Sequence, residues 1–238
     1  MNNLTDKKIL ITGAPRAATL STATFLQELG ISIGHEKDMD NGTVSSLHTH
    51  LNKNYDTVLH QIRDPLKSIK SLHKLKWISF DSFSEIPDDV YNSDKLLMNY
   101  LTLSEINNIN SKDSDSIVHI RRWKEMVPKI KDRNLTRQCM KAWLQFNIEA
   151  ETSSSWSYRI EDLSRNDIFK KWIEELGVEY KEEYFEKYNN SDSSKEIIHS
   201  QLGYSTQNPP LTWEILKELD LELTNRIITY AKHKGYNI

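Results

Sequence analysis

Residues 7–36 read KKILITGAPRAATLSTATFLQELGISIGHE, and two periodicities meet within them. Ile9, Leu10 and Ile11 form a short apolar run that ends in Thr12-Gly13. Beyond it the apolar residues change to helical spacing at Leu20, Ala23, Phe25, Leu26 and Leu29, which predicts strand, tight loop and helix. The loop between them, Gly13-Ala14-Pro15-Arg16-Ala17-Ala18-Thr19, suits an anion. Small residues let backbone N–H groups approach a phosphate, the helix N-terminus adds its positive end, Arg16 offers a fork of donors and Thr19 a hydroxyl.

The loop is not a Walker A sequence. That pattern, G-x-x-x-x-G-K-[ST], requires Gly where Ala18 stands and Lys where Thr19 stands. A phosphate-binding turn is therefore expected, without ordinary ATP or GTP chemistry.

Working outward, residues 31–34 form a second short strand ending at His35-Glu36. Residues 37–54 are polar, with Asn41-Gly42 as a turn and a weak helical pattern over 44–51. TVLHQI at 57–62 is a strand, and Asp64 with Pro65 then supplies an N-cap and a first helical residue. Residues 80–115 are rich in Ser, Asp and Asn and read as an insertion. A strand at 116–120, helices at 122–131 and 136–151, a strand at 156–160 and a helix at 164–176 closed by Gly177 follow. A polar loop at 188–195, the Pro209-Pro210 break and helices at 212–219 and 223–234 complete the chain. Strands alternating with helices predict one α/β domain over residues 1–238, with a parallel sheet covered on both faces.

With 238 residues, 37% of them hydrophobic, the chain can bury a sizeable core. A formal net charge of -3 argues against a protein built to wrap nucleic acid, which needs a basic face to displace counterions, while leaving room for local basic clusters. Cys139 is the only cysteine, so no intrachain disulfide forms and no cysteine-rich zinc site is possible. No apolar run has the length of a membrane span, and with the first strand so early no signal peptide is expected. A cytoplasmic location is expected. The sequence does not fix the oligomeric state.

Three segments place polar groups at the carboxyl end of an expected strand: residues 13–19, His35-Glu36 and Arg63-Asp64. In a parallel sheet those ends share one edge, where ligands bind. The same segments, in this order, resemble the sulfotransferases that use 3'-phosphoadenosine 5'-phosphosulfate. Residues 13–19 are similar to that family's 5'-phosphosulfate loop, usually P-[KR]-S-G-T-T, although Ala17, Ala18 and Leu20 stand at its Ser, Gly and second Thr. Arg63 and Ser71, in RDPLKSIKS, are similar to its 3'-phosphate pair. YRIEDL at 158–163 resembles its strand-ending Y-E-D-L, and MKAWLQFN at 140–147 the helix before it. GISIGHEKDMDNGTVSSLH resembles a subgroup with G-H-E after the first helix.

The resemblance implies a P-loop-like core and sulfuryl transfer to an acceptor hydroxyl, carbohydrate or small molecule favoured, with no metal. It further implies Arg16 at the sulfonate and bridging oxygen, and Gly13, Ala14, Pro15, Ala17, Ala18 and Thr19 around the 5'-phosphate. Arg63 and Ser71 take the 3'-phosphate. Glu36 is the implied base, with His35 its rival or partner. Tyr158, Ser194 and Lys195 are further donor-site candidates.

Two other readings stay open: a P-loop-type nucleotide kinase or phosphotransferase, and a nucleotide- or partner-binding module without catalysis. Absence of the Walker Lys counts against the first, while Ala17, Ala18 and Leu20 favour the second. His48, His50, His60, His73 and His119 lack ligand spacing and read as solvated. Trp143, Trp172 and Trp213 fall on apolar helix faces and read as core, and Glu161-Asp162 reads as a strand end and helix start.

Overall fold

The structure is a computed structural model that describes residues 4–48, 55–75, 122, 125, 126, 128–191 and 211–238. The expected insertion, the strand at 116–120, Ser194, Lys195 and the Pro209-Pro210 break lie outside the described residues. So do His50 and His119.

Five strands, β1 (Ile9–Thr12), β2 (Gly34–His35), β3 (Gly42–Val44), β4 (Thr57–Ile62) and β5 (Trp156–Arg159), form one sheet in the order β2-β3-β1-β4-β5. Every pairing is parallel; Ile9 lies opposite both Gly42 and Thr57, and Gln61 lies opposite Tyr158. All four residues of β1 are buried, as a central strand covered on both faces requires. The fold is thus the expected α/β arrangement of a parallel sheet between helices.

One face is covered by α1 (Thr19–Glu28), α4 (Asn166–Glu175) and α5 (Glu182–Asn190). Phe25, Phe169, Trp172 and Tyr188 form an aromatic cluster there, with ring centroids 5.1 Å apart for Phe25 and Tyr188 and 6.0 Å for Phe25 and Phe169. Such rings supply large buried area and edge-to-face attraction together. The opposite face carries α2 (Pro65–Leu75), α3 (Leu135–Ser153), α6 (Trp213–Leu219) and α7 (Leu221–His233), packed through Ile69, Leu72, Trp143, Phe146, Leu216 and Ile227. Trp143 and Trp172 are fully buried and Trp213 packs against the core, as their helical spacing predicted.

Local chemistry sets the helix ends. The Asp64 side chain accepts from the Lys67 amide at 2.8 Å, with Pro65 opening α2. Asn134 and Asp220 cap α3 and α7 in the same way. At the end of α4, Gly177 has φ 74°, its amide bonds Glu174 O at 2.9 Å and the Val178 amide bonds Ile173 O at 3.2 Å. That pair of bonds is a Schellman closure, and it needs a residue at ease in the left-handed region.

Five sequence expectations are corrected. The strand expected over 31–34 is reduced to β2, Gly34–His35. The weak helical pattern over 44–51 forms no helix at its described residues: Val44 ends β3, whose three residues are too few to show strand alternation, 45–48 follow it without regular structure, and 49–51 lie outside the described residues. A short 3-10 turn, Ile160–Ser164, separates β5 from α4, and α5 occupies residues expected in part as loop. His48 and His60, expected at the surface, are 2% and 0% exposed.

His60 points from β4 toward α3. Its Nε2 donates to Asn147 Oδ1 at 3.0 Å, while Nδ1 accepts the Ser157 hydroxyl at 3.0 Å. Both ring nitrogens are satisfied in one neutral tautomer. Burial lowers its pKa to about 4. Between that value and the ordinary 6.5 the unfolded chain holds a proton that the folded one refuses. Stability is therefore complete above about pH 6.5 and falls as the pH drops toward 4, by on the order of 3 kcal/mol from this residue. Denaturant unfolding of wild type and His60→Gln at pH 7.5, 5.5 and 4.5 is expected to show a shallower acid loss in the variant.

Candidate functional site

After β1 the chain crosses toward β2 on one side, and after β4 it travels to β5 on the other. The carboxyl ends of β1 and β4 thus flank a topological switch point, where diverging connections leave a crevice. Residues 13–18 and Arg63-Asp64 are the loops at that point.

The loop is shaped from beneath by two buried amides. Gln61, in β4, donates from Nε2 to Ala17 O, while its Oε1 accepts from Thr22 Oγ1 at 2.8 Å and from the Tyr158 hydroxyl at 2.7 Å. Asn147, in α3, accepts the Ala14 amide at 3.4 Å on the oxygen that serves His60, and its Nδ2 donates to Trp143 O at 2.8 Å. Both are fully buried. Gly13 permits the close passage of β1 over β4, because a β-carbon there would fall far inside contact with the Gln61 carbonyl.

Above these supports the backbone is strained. Arg16 has φ 70° and Ala18 φ 65°, both in the left-handed region that glycine prefers. Left-handed residues in such loops turn amides toward one side, the geometry of an anion nest. Ala18 is also the N-cap of α1 and offers no side-chain cap, and the first turn of the helix carries no acidic residue. The first helical bond runs from the Thr22 amide to Ala18 O, so the preceding amides have no intrahelical acceptor. A positive helix end with left-handed loop backbone is what an oxyanion takes up.

The candidates expected around this loop are brought together. Arg16 Nε donates to Ser71 Oγ at 3.0 Å, and Arg63 Nη1 donates to Arg16 O at 3.2 Å. The two arginines and Ser71 therefore form one joined group. On the other flank Thr19 Oγ1 lies 3.1 Å from His35 Nε2. Burial lowers the His35 pKa, with Glu36 opposing and Arg16 reinforcing the shift. Glu36 has φ 52°. Its carboxylate accepts from the Ser45 hydroxyl, from the Ser46 amide at 3.2 Å and from the Ser46 hydroxyl at 3.1 Å. Ser45 in turn is fixed by the amides of Leu47 and His48 at 3.0 and 3.1 Å, with His48 Nδ1 at 3.0 Å.

Tyr158 is placed differently. It is 4% exposed, stacks on Trp156 and meets the loop only through Gln61, beneath the crevice rather than in it. Thr22, which offers a further hydroxyl near the loop in the sequence, is spent on Gln61. Gln61, Asn147, Ser45 and Ser46 were not expected; the one sequence signal for Gln61 is an amide inside an apolar strand. Cavities of about 220 and 200 Å³ open elsewhere, between α3 and α7 and beside β5. Among the described residues no group of three or more His, Cys, Asp or Glu could hold a metal ion, and no helix is long and apolar enough to cross a membrane.

Two substitutions in this loop have opposite expected signs. Gly13→Ala forces β1 and β4 apart and is expected to cost about 3 kcal/mol or more, on the scale of overpacked or strained sites. Ala18→Gly relieves a left-handed alanine and is expected to gain roughly 0.5–1 kcal/mol after the entropy of the unfolded glycine is subtracted. Denaturant unfolding measures both. The chain matches no family model, no curated protein and no solved structure.

Proposed function

We propose that this chain is a sulfotransferase that moves a sulfonate from 3'-phosphoadenosine 5'-phosphosulfate to a hydroxyl of a carbohydrate or other small acceptor. The observation that carries the reading is the joined group of Arg16, Ser71 and Arg63 at the switch point. Two segments assigned separately to the two phosphate ends of one nucleotide meet there through direct hydrogen bonds. A mononucleotide needs only the loop, whereas a 3',5'-bisphosphate uses the loop and the Arg63–Ser71 side together.

In this reading the α1 amides and Thr19 hold the 5'-phosphate. Arg16 sits where negative charge grows as the nucleotide leaves, and a fixed guanidinium in a partly buried site stabilises that charge without reorganising. Sulfuryl transfer makes demands similar to phosphoryl transfer, namely in-line placement and neutralisation of charge. His35 is neutral near pH 7 by its lowered pKa, and Glu36 is held beside it, so a proton acceptor stands next to Thr19. Removing a hydroxyl proton requires hydrogen-bond reach, and in this reading one of these two groups takes it.

A second reading, a nucleotide-binding module without transfer, is favoured by one observation. Three donors already occupy the Glu36 carboxylate, which makes it a good clamp for residues 45–46 and a poorer base. In both readings the nucleotide site is the same.

Calorimetric titration with 3'-phosphoadenosine 5'-phosphate, adenosine 5'-monophosphate and ATP tests the shared site. The bisphosphate is expected to bind at least tenfold more tightly than either control. Arg63→Ala is expected to weaken the bisphosphate by roughly 10- to 100-fold, the worth of a charge-assisted hydrogen bond, and the monophosphate by clearly less, since there only the bond to Arg16 O is lost. Equal binding of ATP, or no binding, refutes the assignment. Turnover with the sulfated donor then separates transferase from binding module.

A further inference from the structure

The peptide that joins Arg63 to Asp64 is held at both of its polar ends. Its carbonyl, Arg63 O, accepts from Trp143 Nε1 at 3.3 Å. Its amide, Asp64 N, donates to Glu161 Oε1 at 2.8 Å. A peptide unit is a rigid plane, so fixing both ends fixes its rotation about the chain axis and with it the direction in which the Arg63 side chain departs. Asp64 is also the N-cap of α2, the helix that carries Ser71.

Both holders are themselves braced by the last helix and the residues after it. The Trp143 indole meets the Tyr230 ring of α7 edge-on at 5.9 Å, and the Tyr230 hydroxyl donates to Asn147 O at 3.1 Å. Glu161 Oε2 accepts the Tyr236 hydroxyl at 2.9 Å. Burial and the neighbouring Glu161 and Asp64 carboxylates push the Tyr236 phenol far above its ordinary pKa, so the hydroxyl remains a donor. Arg159 fastens the same segment: its guanidinium lies 5.1 Å from the Tyr236 ring centroid, donates to Gly235 O and pairs with Asp162 at 2.6 Å. Glu161 therefore bridges the end of β4 and the segment after α7, Asp64 and Tyr236, 172 positions apart, through one carboxylate.

We propose that Glu161, braced by Tyr236, and Trp143 are positioning residues for Arg63, and that together they set the preference of the site for a nucleotide with a second phosphate. The proposal rests on the nucleotide reading given above. Neither Glu161 nor Tyr236 touches the 5'-phosphate loop through any described hydrogen bond; their loss reaches the loop through Arg63, whose Nη1 donates to Arg16 O, and falls mainly on the second phosphate. A displaced Arg63 loses its fixed donor geometry toward a second phosphate and slackens one bond to the loop, while the α1 amides, with Gln61 and Asn147 beneath them, keep the site of the first.

Calorimetry with 3'-phosphoadenosine 5'-phosphate and adenosine 5'-monophosphate, on Glu161→Ala, Glu161→Gln and Tyr236→Phe, tests this. Glu161→Ala is expected to weaken the bisphosphate about tenfold and the monophosphate less than twofold. Glu161→Gln can still accept from the Asp64 amide and donate to the Tyr236 oxygen, so it is expected to restore affinity to within about threefold of wild type. Tyr236→Phe, which removes a single hydroxyl, is expected to cost the bisphosphate about threefold. Equal losses for the two nucleotides, or none for the bisphosphate, overturn the proposal.

A ligand-free measurement keeps it separate from the functional reading. In NMR spectra of the full chain, Glu161→Ala is expected to speed hydrogen exchange of the Asp64 amide at least tenfold and to broaden the Arg63 Nε–H line, with Glu161→Gln restoring both. Unchanged signals overturn the positioning role. A wild type without bisphosphate preference refutes the nucleotide assignment instead, and the NMR result then decides the positioning role by itself.

Discussion

At Gly13 the first strand passes over the Gln61 carbonyl with no room for a β-carbon. This contact sets much of what surrounds it. It draws the carboxyl ends of β1 and β4 together, which lets the Gln61 side chain reach the Ala17 carbonyl and fix the loop from below. A polar side chain in the middle of a buried strand costs free energy unless every group on it is bonded, and Gln61 meets that demand with Ala17, Thr22 and Tyr158. On the other face of the sheet Asn147 does the same for Ala14 and His60. The loop owes its shape to two buried amides, one on each side of the sheet.

That support explains how alanine can stand where a left-handed backbone is needed. Ala18 at φ 65° and Arg16 at φ 70° each carry a local steric penalty, and such conformations persist only where the surroundings over-determine them. Here the Ala17 carbonyl between them is held by Gln61, and the Arg16 carbonyl before it by Arg63. The strain and the convergence of charged groups fall at the same place, which is the usual location of a binding site.

Much of the architecture was legible because it rests on periodicity. The change from the apolar run at 9–11 to helical spacing from Leu20, and the Asp64-Pro65 helix start, are local signals that survive into the fold. The candidate residues were legible in part for the same reason, since strand-end loops of a parallel sheet share an edge whatever their separation in sequence. What escaped was non-local. Three residues of β3 carry no readable alternation, yet they bring Ser45 and Ser46 onto Glu36. Gln61, Asn147 and His60 look like ordinary polar residues until the sheet and α3 are stacked and their partners appear. The surface reading of His48 and His60 failed because a histidine whose ring nitrogens find partners can lie as deep as a leucine: His60 bonds through both and His48 through Nδ1 to Ser45.

The strand order carries a consequence for how the molecule is made. β1 is synthesised early but lies in the middle of the sheet, and its neighbours, β3 and β4, begin about thirty and fifty positions later. Parallel pairing across such separations must close long loops before any contact is gained, which slows folding. The loop after β1 cannot take its working shape until β4 has docked and delivered Gln61. The left-handed shape of this loop therefore arrives late, as a property of the assembled sheet. Partly folded chains should lack it, so an anion that fits this loop favours the finished fold over every earlier state.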